Sequence, residues 1–234
     1  MTGRIYYDQP GLRAFDAVVV RTEARPDGTA VWLDRTAFYP ASGGQPHDVG
    51  TLGRAQVHSV EEDASGDVVH VVGSGAPSAG AVVRGDIDWT RRFDHMQQHT
   101  GQHLLSAVIE QAFQARTIGF HMGAESSTID LDRELTPAQL ADAELSANRA
   151  VWSDVPVTIR YATEDEARQL PLRKESTRTG ILRLIDIEGI DLSACGGTHV
   201  ANTADIGAVV VTKIEKKSAM TRRVVLGWAG HHSA

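Results

Sequence analysis

The chain has 234 residues, a formal net charge of −7 and 41% hydrophobic residues. This length and apolar fraction suffice for one large domain or two small ones, and the net charge excludes indiscriminate nucleic-acid binding driven by overall charge. A single cysteine excludes an internal disulfide framework and suits a reducing compartment. Because no long apolar run and no signal-peptide pattern is found, we expect a soluble, cytoplasmic protein without a membrane partner.

The first 90 residues have the pattern of a small antiparallel β-barrel. Short, valine-rich segments alternate with turns rich in Gly, Pro, Asp and Ser. Several short strands at this spacing are typical of a barrel, so residues 1–90 are predicted to form an N-terminal barrel domain. The predicted strands are 5–7, 17–20, 30–33, 55–60, 68–72 and 81–83.

A long loop, residues 34–50, interrupts the predicted barrel. Its paired glycines, Gly43 and Gly44, permit positive φ and a close backbone approach. Such a turn leaves backbone N–H groups open to a phosphate, a carboxylate or a ribose. The alternative is an ordinary Gly-rich surface loop.

From residue 91 the pattern changes to helices mixed with strands, and residues 91–234 are predicted as a second domain. A helix is expected to begin at Asp94, and Thr136 and Thr163 each open a capped helix, the first running to about residue 152. Strands are expected at 127–132, 157–161 and 181–187, with a hairpin formed by 207–215 and 221–227. The predicted fold class is α+β: a barrel, then an α/β domain whose mostly antiparallel sheet is packed by helices.

Four residues have the spacing of a metal site. His99 and His103 are four apart on a predicted helix and therefore share one face. Cys195 and His199 are also four apart and flank two glycines. Either pair alone fits a packed or solvated surface equally well, but together they supply three imidazoles and one thiolate, a plausible tetrahedral zinc shell.

His95 extends the histidine row by one turn. About 12 Å of helical rise separates His95 from His103, so a straight helix cannot easily bring both of them and His99 to one ion. We interpret His95 as a residue behind the ligands or as unrelated to the metal.

The chemistry of a zinc held in this way stays open at the level of sequence. Four protein ligands indicate a structural site, whereas a catalytic site keeps one position for water or substrate. No His-Glu-x-x-His motif supplies a base. The candidate catalytic residues are Gln102, His121 and Thr198, with Gln98 or the substrate itself as alternatives, and Thr198 could equally stabilise its own loop.

Basic residues near the end of the chain are candidates for phosphate contacts. They lie in the predicted hairpin and its connection, where the alternative is a solvated charged face. This group comprises Lys213, Lys216, Lys217, Arg222 and Arg223. Weaker candidates are Arg91, Arg92, Arg173, Lys174 and Arg178.

Four stretches, taken together and in this order, resemble the AlaX alanyl-tRNA editing proteins and the editing domain of alanyl-tRNA synthetase. Each is modest alone, but the set spans nearly the full chain. They are Thr36 to Pro40 with Gly43-Gly44-Gln45 and Asp48-Val49-Gly50; Arg91 to Met96; His99-Thr100-Gly101-Gln102-His103; and Ile187 to His199 with its Cys-Gly-Gly-Thr-His end.

The resemblance implies a zinc-dependent hydrolase that removes serine, and glycine as a further candidate, from mischarged tRNA(Ala) in trans. It implies zinc ligands at His99, His103, Cys195 and His199. It also implies that the N-terminal loop affects deacylation, which singles out Thr36, Gly43, Gly44, Gln45 and Asp48. The barrel makes the chain similar to the medium-length AlaX form. No nucleotide cofactor and no aminoacylation are expected.

Two rival hypotheses remain beside the editing hydrolase. One is a non-catalytic tRNA-binding module with a structural zinc. The other is a zinc hydrolase acting on a different ester or amide, because the motif specifies the metal better than the substrate.

Overall fold

The computed structural model describes residues 1–123, 126–174, 179–216 and 222–229, with residues 216 and 222–229 described by their backbone alone. The chain divides into two compact units, residues 1–95 and 96–234. The division lies inside helix α1 (Trp89–Phe113), which begins just before the boundary predicted at residue 90.

The first unit is built around a closed antiparallel barrel, as predicted. Six strands follow one another in the order β2-β3-β7-β6-β5-β8. Alternate residues of strands such as β8 are buried, and the interior is filled by side chains including Phe15, Val31 and Leu52. The strands are β1 (Gly3–Arg4), β2 (Ala14–Arg25), β3 (Gly28–Leu33), β4 (Arg35–Thr36), β5 (Gly50–Leu52), β6 (Ala55–Glu62), β7 (Val68–Val72) and β8 (Val82–Ile87).

The strand predicted at residues 5–7 is wrong: Ile5–Tyr7 is a short 3-10 helix. Only the preceding Gly3 and Arg4 pair with a strand, β4. Tyr6 is buried and its ring packs edge-on against the rings of Tyr7 and Tyr39. A run of three apolar residues is too short to distinguish the period of a helix from that of a strand. Here the burial of the Tyr6 ring decides the conformation.

A buried ion pair fixes the loop that follows β4. The Asp48 carboxylate accepts the Tyr39 N–H at 2.6 Å, and both of its oxygens accept from Arg92 Nε at 3.0 Å. The Arg92 Nη2 group also contacts Asp48 and donates to the Ala37 carbonyl at 2.5 Å. Both charged side chains are 0% exposed. The loop is therefore held to the first turn of α1 by charge-assisted hydrogen bonds.

A second buried contact fixes the start of the same loop. His70 Nδ1 lies 3.1 Å from the Val31 carbonyl oxygen, which can only accept, so Nδ1 carries the proton. The Thr36 hydroxyl then donates to Nε2 at 2.8 Å and accepts the Phe38 N–H. Burial lowers the pKa of His70 to about 4, which keeps the ring neutral.

The second unit combines helices with two antiparallel sheets, which confirms the predicted α+β class. One sheet has the order β14-β15-β10-β9 and the other β11-β12-β13. Besides α1, the elements are β9 (Thr117–Met122), β10 (Ser127–Leu131), α2 (Pro137–Trp152), β11 (Val157–Ala162), α3 (Glu164–Ala167), β12 (Leu182–Ile187), β13 (Asp191–Ala194), β14 (Ala208–Lys216) and β15 (Arg222–Ala229).

Local sequence sets the starts of α2 and α3, as predicted. Thr136 and Thr163 each form a complete capping box. The predicted start of α1 is wrong, because Asp88 accepts the Arg91 N–H at 3.1 Å and the helix begins at Trp89. Asp94 therefore lies within the second turn. No helix in the described part of the chain is long and apolar enough to span a membrane.

Removing one partner of the buried ion pair is expected to destabilise the first unit strongly. Asp48→Asn leaves the Arg92 charge uncompensated in the interior, so we expect a loss of about 3–5 kcal/mol in the free energy of unfolding. Urea unfolding followed by tryptophan fluorescence measures the loss. The control is Asp86→Asn, which breaks the exposed pair with Arg84 and is expected to cost about 1 kcal/mol or less. Equal losses in the two variants would contradict a stabilising role for the buried pair.

Candidate metal centre

The structure brings His99, His103, Cys195 and His199 together. Their candidate ligand atoms all lie within 4.8 Å of one another. The Nε2 atoms of His99 and His199 are each 3.4 Å from the Cys195 sulfur. In a tetrahedral zinc site, ordinary bond lengths place a nitrogen and a sulfur ligand about 3.6 Å apart. The spacing of the four groups therefore fits a tetrahedral metal ion.

Helix α1 positions the first two candidate ligands through its periodicity. His99 and His103 lie one turn apart, with ring centroids separated by 5.3 Å. Leu104, Leu105 and Ile109 are fully buried and anchor this part of the helix in the second unit. The direction of both imidazoles is thus set by the packing of the whole helix.

Arg183 on β12 positions the cysteine loop. Its Nη1 group donates to the carbonyl oxygens of Cys195 at 2.8 Å and Gly197 at 2.9 Å. The Cys195 N–H donates back to the Arg183 carbonyl at 3.0 Å, and the Gly197 N–H donates to the Cys195 sulfur at 3.3 Å. The loop is therefore held by one arginine, and its sulfur faces a backbone donor.

Thr100 determines the tautomer of His199. The Thr100 hydroxyl donates its only hydrogen to the Met96 carbonyl at 2.7 Å, and its oxygen accepts the Val200 N–H. The same oxygen lies 3.1 Å from His199 Nδ1 and can only accept from it. His199 therefore carries its proton on Nδ1 and turns the Nε2 lone pair toward Cys195. On the other side of the cluster, His103 Nδ1 lies 2.9 Å from Asp191 Oδ2.

The electrostatics of the cluster favour the metal-binding forms of Cys195 and His199. Burial raises the pKa of the Cys195 thiol, but the charges of His99 and His199 and a hydrogen bond from His103 outweigh burial and lower that pKa well below its ordinary value. Burial, assisted by His99, lowers the pKa of His199 to about 3. For His103, burial lowers the pKa, yet the hydrogen bonds to Asp191 and Cys195 leave it raised overall, so an ion bound there would have to displace the proton on Nε2. A thiolate and a neutral imidazole are both metal-ligand forms.

The three predicted catalytic residues differ in their surroundings. Gln102 is buried on α1 and donates to the Ser106 hydroxyl at 2.9 Å, and Thr198 is fully buried beside His199. His121 is exposed on β9, while the ring of its neighbour Phe120 lies 5.5 Å from the His99 ring. Because neighbouring strand residues face opposite sides, His121 points away from the face that Phe120 presents to His99. The catalytic roles of all three residues stay predictions.

The predicted substrate-binding residues all lie in the first unit. Thr36, Gln45 and Asp48 are buried. Gly43 and Gly44 have φ values of 59° and 89°, so the turn uses the positive φ that glycine permits. Thr36 and Asp48 contribute to the contacts that hold the loop. Their part in substrate binding stays a prediction.

The basic hairpin exists, but only part of it is described. Strands β14 and β15 pair antiparallel, as predicted, and place Lys216 opposite Arg222 and Glu215 opposite Arg223. The exposed side chain of Lys213 lies 2.6 Å from Glu215. Lys217 and Arg178 are outside the described residues. Among the weaker candidates, Arg92 is buried with Asp48 and the Arg173 guanidinium is bound to Asp191.

Several residues that shape the cluster were missed by the sequence reasoning. They are Thr100, Phe120, Arg183 and Asp191, each of which contacts a ligand residue. Only Asp191 could have been found from the sequence, because it is an acidic residue four positions before the only cysteine. The other three have no spacing that distinguishes them from ordinary helix and strand residues.

Comparisons with known proteins show the family to which the chain is similar. Residues 182–225 match the family described as the threonyl and alanyl tRNA synthetase second additional domain. The chain is 36% identical over 242 residues to alanyl-tRNA editing protein AlaX-M of Methanosarcina acetivorans, covering 96% of this chain and 98% of that protein. It is 36% identical over 231 residues to AlaX-L of Pyrococcus horikoshii, covering 96% of this chain but only 57% of that protein.

A third relative comes from Xenopus laevis. The alanyl-tRNA editing protein Aarsd1-A of Xenopus laevis is 39% identical over 194 residues, which cover 81% of this chain and 46% of that protein. The chain thus matches the AlaX-M relative over nearly its full length and about half of the longer ones. The chain belongs to the family of alanyl-tRNA editing proteins, which confirms the resemblance found in its motifs.

Replacing the thiol is expected to abolish tight metal binding. Cys195→Ala removes one of four ligands, so bound zinc should fall from about one ion per chain to well below half after dialysis. Elemental analysis of the purified protein provides the measurement. His58→Gln alters an exposed barrel histidine outside the cluster and should keep the parent's zinc content. The same zinc content in Cys195→Ala as in the parent would show that the cluster does not hold the ion.

Proposed function

We propose that the protein is a zinc-dependent aminoacyl-tRNA hydrolase that acts in trans and releases serine, with glycine as a second substrate, from mischarged tRNA(Ala). The observation that carries the proposal is the cluster of three buried histidines and one half-buried cysteine in a chain whose relatives are named alanyl-tRNA editing proteins. Because aminoacylated tRNA is consumed in translation, the proposed place of action is the cytoplasm.

The four clustered residues are the proposed zinc ligands. Zinc bound there would act as a Lewis acid on the ester carbonyl or hold the amino group of the substrate. Gln102 lies on the turn that joins the two helix ligands, and Thr198 adjoins His199. We propose that these two polar side chains help to orient the esterified amino acid.

The expected preference for serine over alanine follows from the structures of these two amino acids. Serine is alanine with one added hydroxyl, and an apolar synthetic pocket rejects such an addition poorly. A polar hydrolytic site reverses the preference, because it can hydrogen-bond the hydroxyl. Alanine leaves the same groups unpaired, at a cost of about 1–3 kcal/mol.

The tRNA partner requires a local basic surface, because the net charge of the chain is −7. We propose that the β14–β15 hairpin provides it, since basic residues are concentrated in these two strands and their connection. Contacts with phosphates would make affinity depend on salt without selecting a sequence.

The decisive experiment follows amino-acid release from tRNA(Ala) carrying serine, glycine or alanine. We expect serine to be released about 10–100-fold faster than alanine, which corresponds to the cost of unpaired polar groups. Cys195→Ala and the metal-stripped protein should both lose release, and added zinc should restore only the stripped protein. Equal attack on all three substrates would exclude editing. Binding of tRNA without any release would instead support a non-catalytic module with a structural zinc.

Neutralising the hairpin is expected to weaken tRNA binding and to flatten its salt dependence. For every phosphate that the protein no longer neutralises, the slope of log affinity against log salt should fall by about 0.7–0.9. The test variant changes Lys216, Lys217, Arg222 and Arg223 to Gln and is measured by filter binding across a salt series. The control removes the same charge from exposed arginines elsewhere, namely Arg84, Arg116, Arg133 and Arg168. An unchanged slope in the hairpin variant would exclude this surface.

A further inference from the structure

Asp191, the first residue of β13, is a buried carboxylate with four hydrogen bonds. Its Oδ2 atom lies 2.9 Å from His103 Nδ1 and 3.1 Å from Arg173 Nη2. Its Oδ1 atom accepts from Arg173 Nε at 2.6 Å and from the Ser193 hydroxyl at 2.9 Å. The carboxylate is 0% exposed and the arginine side chain 12%. The buried Asp191 carboxylate therefore connects the proposed ligand His103 with the Arg173 guanidinium and with Ser193 of its own strand.

We propose that Asp191 is a positioning residue of the metal centre and that Arg173 balances its charge. Asp191 directs Nε2 of His103 toward the metal, and Arg173 prevents the carboxylate from cancelling the positive charge of the site. The inference rests on the proposed zinc site and extends it by two residues that are not themselves proposed ligands.

The positioning role follows from donor counting. An ionised carboxylate can only accept, so the contact at 2.9 Å requires the proton of His103 on Nδ1. The Nε2 lone pair is then left to face the ion. A carboxylate behind a metal-bound histidine fixes its tautomer and ring orientation and raises its basicity. Thr100 does the same for His199 with a neutral oxygen, so Asp191 differs from it by carrying a charge.

The role of Arg173 follows from the formal charges. A zinc ion with one thiolate ligand and three neutral imidazoles keeps one positive charge. The Asp191 carboxylate cancels that charge, and the Arg173 guanidinium restores it. The arginine therefore opposes binding of a cation while the carboxylate favours it. Removing the carboxylate should therefore weaken zinc binding, whereas removing the arginine should not.

The different effects of losing Asp191 and losing Arg173 on zinc affinity distinguish this role from that of an ordinary structural ion pair. If the pair only held β13 in place, loss of either partner would disturb the cluster and weaken zinc binding alike. Ser193 bonds Asp191 independently, so the carboxylate keeps a partner when Arg173 is replaced.

The test measures zinc affinity of the full chain by competition with a chromophoric chelator. Asp191→Ala should bind zinc about 10–100-fold more weakly, and Asp191→Asn, which keeps an acceptor oxygen, should lose less. Arg173→Met should bind zinc as tightly as the parent or more tightly. The control is Asp186→Ala. Asp186 lies on the neighbouring strand β12, and its carboxylate is paired with Arg160 at 2.9 Å. The zinc affinity of this control should stay within about twofold of the parent.

The outcomes distinguish this inference from the proposed hydrolase. Parent-like affinity in Asp191→Ala, or equal weakening in Asp191→Ala and Arg173→Met, would overturn it. If Asp191→Ala does not fold, weaker zinc binding in Asp191→Asn together with unweakened binding in Arg173→Met supports it. A parent that binds zinc but releases no amino acid fails as a hydrolase, while the affinity series still decides the role of Asp191. A parent that binds no zinc overturns both.

Discussion

The second unit depends on one constraint: three imidazoles and one thiol must direct their lone pairs at a common point. Helix periodicity places the rings of His99 and His103 on one face of α1. The Cys195 loop has no such regularity, so it needs Arg183 to hold two of its carbonyl oxygens. Imidazole direction is a separate requirement, because a correctly placed ring with the wrong tautomer offers a proton where a lone pair is needed.

A buried Asp–Arg pair appears in each unit, and the two pairs share a physical logic. Asp48 with Arg92 and Asp191 with Arg173 each combine a carboxylate and a guanidinium in the interior. Desolvation makes such a pair a weak source of stability compared with apolar packing. Its advantage is directional, since a bidentate contact fixes orientation as well as distance. The Asp48–Arg92 pair fixes a loop to helix α1, and Asp191 of the other pair contacts the proposed metal ligand His103.

Local sequence predicted what local interactions decide. The capping boxes at Thr136 and Thr163 involve residues three positions apart, and their helices begin as predicted. The four clustered residues were predictable because two short spacings and a unique cysteine stood out. Ile5–Tyr7 was not, because tertiary burial of Tyr6 decided its conformation. Asp191 and His103 are 88 positions apart, and Asp48 and Arg92 are 44 apart, so no spacing could connect them.

The cluster also links folding to the proposed chemistry. Three buried imidazoles and a half-buried thiolate facing one another repel unless a proton or a metal ion lies between them, and the lowered pKa values of Cys195 and His199 already favour the forms that a metal ion binds. The free energy of binding an ion there is therefore partly free energy of folding for the second unit. An ion held by all four side chains could take up substrate either by adding a fifth ligand or by loosening one of the four. The ligand with the least regular support is Cys195, which is held through backbone carbonyls and not within a helix. If a ligand loosens during the proposed turnover, the movement would therefore fall on the cysteine loop, whereas a purely structural ion would leave that loop still.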